Sequence, residues 1–149
     1  MNYQQKNLSE FNEWFDSLSK EELRQLFLKY KPFFNEYEMA FYLGMKVQDI
    51  GAIRNGSIYG MDRGYEKFKI LANYVMYVPP MNEPNDPVGY RVAFRILSKC
   101  IMMKQLFNYY TLDYEAYKKF MRGDNKALNK KELHLIYKAL RLRPLNKFG

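Results

Sequence analysis

The sequence holds a single cysteine, a single histidine, a single tryptophan and only six prolines and eight glycines in 149 residues. A lone Cys100 cannot close an internal disulfide, and one Cys with one His, His134, cannot make a structural zinc site. No apolar run approaches the roughly 18 residues needed to cross a bilayer. The opening MNYQQKNLSEF has no apolar core of the secretory kind. These absences lead us to expect a cytoplasmic chain in a reducing setting, without membrane partner, metal or other cofactor. Cys100, within LSKCIMM, reads as an inert core thiol. Catalytic patterns are scarce too. No Ser, His and acid set stands in a motif, and GSIYGMDRG lacks the Gly-Lys-Ser/Thr ending of a phosphate loop. Glu21, Glu22, Glu36 and Glu38 stand at helix starts, where the helix dipole alone favours acids. The expectation is a binding protein and not an enzyme.

Apolar residues, by contrast, make up 48% of the chain and aromatics 17%. That is enough to build a core. Phe11, Trp14, Phe15 and Leu18 recur at helical spacing behind Ser9, a candidate N-cap. Ser19 with Glu22 reads as a capping box for a second helix bearing Leu23, Leu26, Phe27 and Tyr30, which Pro32 ends. Asn35 can cap a third helix with Met39, Ala40 and Leu43 inside, closed by Gly44. A short helix then carries Val47, Ile50 and Ile53 up to Gly56. Asp62 can cap a further one with Tyr65, Phe68, Leu71 and Val75, stopped by Pro79 and Pro80. VPPMNEPNDP reads as a linker. Helical spacing resumes at Val92 or Ala93, and no alternating strand pattern has useful length. The fold class expected is all-α. We divide it into an N-terminal unit at 1–78, a proline-rich linker at 79–91 and a basic helical unit at 92–149.

The apolar pattern also repeats. Shifting residues 21–56 forward by about 67 positions lays Phe27 on Phe94, Phe34 on Ile101, Ala40 on Phe107, Ile50 on Tyr117 and Gly56 on Gly123. A loop two residues shorter then restores the match of Phe68, Leu71 and Val75 with Leu133, Ile136 and Leu140. Identity is low; the register of apolar positions is what recurs.

Residues 35–75 carry a polar cap at Asn35, Met39-Ala40, then Gly44, Met45, Ile50, Ile53 and Gly56. In that spacing the segment resembles the lambda-repressor-like (Cro, XRE) helix-turn-helix family, and residues 88–142 read as a degenerate second copy. The resemblance implies two small helix-turn-helix-like units in tandem, packed with an N-terminal helix. It also implies a transcriptional regulator of phage or mobile-element type, whose helix after the turn enters the major groove of DNA. Carried over, the reading positions include Lys46 and Gln48, and Gln48 could contact adenine. Val47 could face either groove or core. Asp49 should repel phosphate, Gly51 weakens the helix, and Arg54 could serve phosphate or the helix dipole.

The cations lie elsewhere. Residues 96–149 hold twelve Lys/Arg against four acids, which equals the net charge of +8. Solubility would explain such an excess, and so would a polyanionic partner. In the second copy Asp113 can cap the short helix, with Lys118 and Lys119 outward beside Glu115. Arg122 and Lys126 lie in the following turn. Asn129 and Glu132 form a capping box around Lys130 and Lys131, and the N–H groups there are a candidate anion site. Tyr110, Tyr114 and Tyr117 read as core; Tyr109 and Tyr59 read as candidates for exposed stacking.

We therefore expect a small DNA-binding protein that grips double-stranded DNA through Lys118, Lys119, Arg122, Lys126, Lys130 and Lys131. Lys46, Gln48 and Arg54 would add weak readout. Two units in one chain could occupy successive grooves about 34 Å apart. The competing expectation is the same scaffold used as an inhibitor or adaptor on a host nucleoprotein complex, with Asp49, Gly51 and Ala52 meeting the partner. A homodimer through residues 1–20 is compatible with both.

Overall fold

The computed structural model describes residues 8–55, 65–78 and 80–142. Gly56, Tyr59, Asp62 and Pro79, and the side chains of Phe27, Tyr30, Ile53, Arg54, Tyr65 and Phe68, lie outside the described residues. The fold is all-α. Its helices are α1 (Leu8–Asp16), α2 (Lys20–Tyr30), α3 (Glu36–Leu43), α4 (Val47–Arg54) and α5 (Tyr65–Met76). After these come α6 (Pro87–Leu97), α7 (Met103–Tyr110), α8 (Tyr114–Met121) and α9 (Lys130–Leu142). A 3-10 turn, Lys31–Phe33, holds Pro32 just past the end of α2.

Most helix starts follow the chemistry of their caps. Ser19 N–H donates to Glu22 Oε1 at 3.1 Å, and Glu22 N–H donates to Ser19 Oγ at 3.2 Å, a reciprocal capping box. Asn35 Oδ1 accepts from the N–H of Tyr37 and Glu38 at 3.0 and 3.1 Å. Asp113 Oδ1 accepts from Ala116 N–H at 3.1 Å. Ser9 is no cap, because α1 already includes it. The expected linker is also shorter than its prolines suggested. Asp86 caps α6 and Pro87 opens it, a first-turn position where the missing N–H costs nothing. Residues 87–91 are thus helical.

Helix bounds recur at a constant offset. Lys20–Tyr30 matches Pro87–Leu97, Glu36–Leu43 matches Met103–Tyr110, and Val47–Arg54 matches Tyr114–Met121, each pair about 67 positions apart. The details recur as well. Met45 N–H donates to Ala40 O at 2.8 Å, and Leu112 N–H to Phe107 O at 2.8 Å. Helix α2 packs on α5 as α6 packs on α9. Within each copy the same registers are buried: Leu23 and Tyr90, Met39 and Leu106, Ala40 and Phe107, Ile50 and Tyr117, Leu71 and Ile136, Val75 and Leu140.

The copies meet back to back. Phe34 and Ile101, equivalent residues, form an isolated antiparallel bridge. Asn35 N–H donates to Cys100 O at 2.7 Å, and Met102 N–H donates to Phe33 O at 2.8 Å. Exchanging the copies exchanges the two bonds, which is the reciprocity of a two-fold axis. Buried side chains of both copies belong to one core. Phe11 and Phe15 of α1 are buried in it, with Phe11 5.0 Å from the ring of Tyr77, so these rings are occupied within the chain. Cys100 is buried, and burial pushes its thiol up, away from the reactive thiolate.

Two local features carry measurable consequences. Both α3 and α7 end on a left-handed residue: Gly44 at φ 66° and Thr111 at φ 58°. Glycine adopts this region freely, whereas a β-branched residue is strained there. A Cβ at Gly44 would meet nothing within 4 Å. Gly44→Ala should therefore lower stability by about 1 kcal/mol through the backbone alone, and Thr111→Gly should raise it by about as much, read as opposite shifts of the urea midpoint. A stabilised Gly44→Ala would contradict the left-handed cap.

The second feature is the segment before α6. Tyr137 Oη donates to Met81 O at 2.9 Å, and Tyr90 Oη donates to Glu83 Oε2. His134 Nδ1 lies 2.9 Å from Glu83 Oε1, and an ionised carboxylate can only accept, so the ring N–H donates. Burial pushes the Glu83 carboxyl up, but the hydrogen bonds from Tyr90 and His134 and the charges of His134 and Lys130 outweigh it and hold it below the ordinary carboxylate value. A carboxylate lower in the folded than in the unfolded chain stabilises above its unfolded value. That contribution vanishes as pH falls through the folded value. Glu83→Gln should thus be less stable than the parent at pH 7, and the gap should close below about pH 4. A gap independent of pH would assign the effect to packing instead.

Candidate nucleic-acid interface

The basic residues expected to touch DNA separate into three groups. Lys46 and Gln48 are exposed at the start of α4, and Val47 is 39% exposed, so it faces solvent and not the core. Asp49 is not a free acid: its Oδ2 lies 3.0 Å from Lys67 Nζ. The repulsion expected there is thereby offset by a cation on α5. Arg54 is the last residue of α4.

Lys119, Arg122 and Lys126 form the second group, all exposed, spanning the last turn of α8 and the loop beyond it. Lys118 belongs less to it than expected. Its side chain is 37% exposed, its Nζ is 2.9 Å from Glu115 Oε1 and it lies over the Tyr114 ring at 5.1 Å. A lysine three residues from a glutamate on one helix finds it readily.

Lys130 and Lys131, exposed in the first turn of α9, make the third group. The anion site expected beside them is half taken by the chain itself. Asn129 N–H donates to Glu132 Oε1 at 3.0 Å, and Glu132 N–H donates to Asn129 Oδ1 at 2.8 Å. The capping box consumes two donors and leaves a carboxylate at the helix start. That carboxylate disfavours a phosphate on the helix axis, so phosphate contact there falls to the lysine side chains first.

Lys99, another cation of the last third, lies apart. Lys99 Nζ sits 5.3 Å from the ring of Tyr42 on α3. Tyr109 is also not free for stacking on a base: it is half-buried, edge-on to Phe33 at 5.3 Å, and burial pushes its hydroxyl up. Tyr117 is buried as expected, its hydroxyl pushed up to about 12 chiefly by that burial.

One residue that the sequence reading placed in the linker holds the basic loop in shape. Arg91 of α6 donates from Nε to Phe120 O at 2.7 Å and from Nη2 to Asn125 Oδ1. Its guanidinium lies over the Phe120 ring at 4.5 Å. It therefore adds a second donor to the Phe120 carbonyl, which also accepts from Gly123 N–H at 3.0 Å, and ties the loop to α6. Gly123, at φ 117°, makes the turn that follows. Arg91 is a positioning residue with its donors directed inward.

Among the described residues no group of three or more His, Cys, Asp or Glu is placed to hold a metal ion. No described helix is long and apolar enough to cross a membrane. Comparison with protein-family models, curated proteins and solved structures finds no match to this chain.

Arg91→Met keeps the aliphatic stem and removes both donors, leaving the Phe120 carbonyl without this partner. The Phe120 carbonyl keeps Gly123 N–H, so we expect a loss of about 1 kcal/mol in urea denaturation. A loss below about 0.5 kcal/mol would show that the loop holds itself without Arg91.

Proposed function

We propose that this chain is a DNA-binding protein, a regulator and not an enzyme, that grips the phosphates of a duplex with the end of α8, the loop after it and the start of α9. The observation that carries the reading is the exposed series of Lys119 at the end of α8, Arg122 and Lys126 in the loop that Arg91 ties down, and Lys130 and Lys131 at the start of α9. Phosphate contacts release condensed counterions, so such a series supplies affinity without sequence preference. The resemblance of residues 35–75 to the lambda-repressor-like family supports the regulator reading. In it α4 and α8 are the helices after the turn, related by the axis through Phe34 and Ile101. Duplex DNA has local two-fold axes of its own, and paired reading helices exploit them. Lys46 and Gln48 then supply weak base contact from α4, and α8 supplies grip.

The rival use of the Asp49–Ala52 surface for a protein partner is weakened by Lys67, which neutralises its acid.

Titration of the protein against a random-sequence duplex at several salt concentrations tests the reading. Five contacts predict a slope of log K on log salt near −4.5. Lys119→Ala and Arg122→Ala should each flatten it by about one unit, and Lys118→Ala by less, since Glu115 already holds that lysine. Absence of binding at low salt, or a slope indifferent to all three substitutions, would end the DNA reading.

A further inference from the structure

Six large apolar side chains stand exposed on α3 and α6. Tyr37, Phe41 and Tyr42 are 73%, 91% and 53% exposed, and Val88, Val92 and Ile96 are 65%, 48% and 53% exposed. The three aliphatic residues recur at every fourth position, so they form one stripe along α6. Ile96 and Tyr42 line a common hollow of about 260 Å³. Tyr42 also lines a second hollow of about 500 Å³ with Tyr37 and Phe41, bounded by Cys100. Stripe and aromatics are therefore one continuous surface.

The internal repeat supplies a control for it. On α2 the residues equivalent to Val88, Val92 and Ile96 are Glu21, Gln25 and Lys29; on α7 those equivalent to Tyr37 and Phe41 are Lys104 and Asn108. All five are exposed. The same backbone, open to solvent in the same way, carries polar residues in one place and apolar ones in the other. At these five positions folding does not require an apolar side chain; only Tyr42 has an aromatic equivalent, the half-buried Tyr109. Exposed apolar surface of this kind marks a site of association.

The charges around the surface indicate what it meets. Arg95 is exposed beside the stripe, and Lys99 stands at its end with Nζ over the Tyr42 ring. Glu38 is the one acid lining the second hollow, and the whole chain carries +8. We infer that α3 and α6 form a docking groove for an acidic amphipathic helix of a partner protein. Its apolar residues at i, i+4 and i+7 enter between Phe41, Tyr42 and the α6 stripe, and its flanking carboxylates meet Arg95 and Lys99. A second copy of this chain is a poorer occupant, since it brings the same cationic surface and would join two molecules that each carry +8. None of the cations assigned to DNA lies in this surface, so the two proposals stand or fall separately.

The test uses the full chain and a labelled synthetic helix of about 18 residues. The helix has Leu at the three anchor positions and Glu on both flanks; a second peptide has Lys in place of Glu. The key variant is the triple substitution Phe41→Asn, Val92→Gln and Ile96→Lys, each installing the residue that the other copy already tolerates. Fluorescence anisotropy should show the Glu peptide binding at least about tenfold more tightly than the Lys peptide, and the triple variant losing about tenfold or more with an unchanged circular dichroism spectrum. Equal affinity for both peptides, no binding of either, or binding indifferent to the triple variant overturns the inference. A dimer in sedimentation equilibrium that the triple variant dissolves would give the surface to a second copy. Binding to anionic phospholipid vesicles without peptide binding would give it to a lipid surface. Either result overturns the acidic-helix partner. Should the triple variant fail to fold, Phe41→Asn alone, at the most exposed site, carries the same comparison.

Discussion

Two backbone hydrogen bonds, Asn35 N–H to Cys100 O and Met102 N–H to Phe33 O, hold the arrangement of this molecule in register. Each copy offers one donor and one acceptor from the short connection between its first two α-helices, α2 to α3 and α6 to α7. Neither stretch can satisfy these groups within its own helices, and both lie beside buried side chains, Phe33 and Phe34 in one copy and Cys100 and Ile101 in the other. A buried donor or acceptor without a partner is costly. Pairing the two stretches antiparallel satisfies one donor and one acceptor from each. A slip by one residue would misalign both bonds and rotate Phe34 and Ile101 away from the core. The two-fold relation of the copies is thus fixed by a local requirement, and the helices on each side inherit it.

A scaffold fixed in this way leaves its surface free to diverge. Equivalent positions on α4 and α8 hold Gly51 and Ala52 in one copy and Lys118 and Lys119 in the other. Equivalent positions on α2 and α6 hold a polar set in one and an aliphatic stripe in the other. Buried registers match closely, while exposed ones share little. Such a division is expected where close packing constrains the core and solvent tolerates most substitutions. Charge has collected on the second copy and exposed aromatic surface on α3 of the first. The chain therefore presents chemically different faces on a backbone that is nearly the same twice.

Much of this was legible in the sequence because it depends on local rules. The capping boxes at Ser19 and Asn129, the caps at Asn35 and Asp113 and the left-handed end at Gly44 follow from neighbours a few residues away. The register of the repeat could be read from apolar spacing alone. What was not legible depends on partners distant in the chain. The pairing of Asp49 with Lys67, the anchoring of the basic loop by Arg91 and the seating of Tyr109 on Phe33 carry no signal in their own neighbourhoods. One misreading was local. Asp86-Pro87 is a helix start as well as a turn signal, and the surrounding prolines drew the reading toward a linker. Thr111, where the first copy has Gly44, adopts the same left-handed backbone without glycine, which its own sequence does not signal.

Helix α6 joins these threads. Successive residues of a helix are about 100° apart, so its sides can serve different neighbours. Tyr90, Ala93, Phe94 and Leu97 enter the core. Arg91 turns toward the end of α8 and fixes the basic loop. Val88, Val92 and Ile96 face outward on a third side, with Arg95 between the last two directions. On this arrangement, anything that binds the outer stripe rests on the same rigid rod that positions the cationic loop, without touching the loop itself. A partner seated on α6 would then change the loop only by shifting or stiffening that rod, since none of the groups that Arg91 engages lies in the stripe. Arg91 gives coupling between the two proposed surfaces a direct route, beside the packing of α6 on α9 and of Phe94 on Phe120. Substituting it would weaken that coupling while leaving the stripe in place.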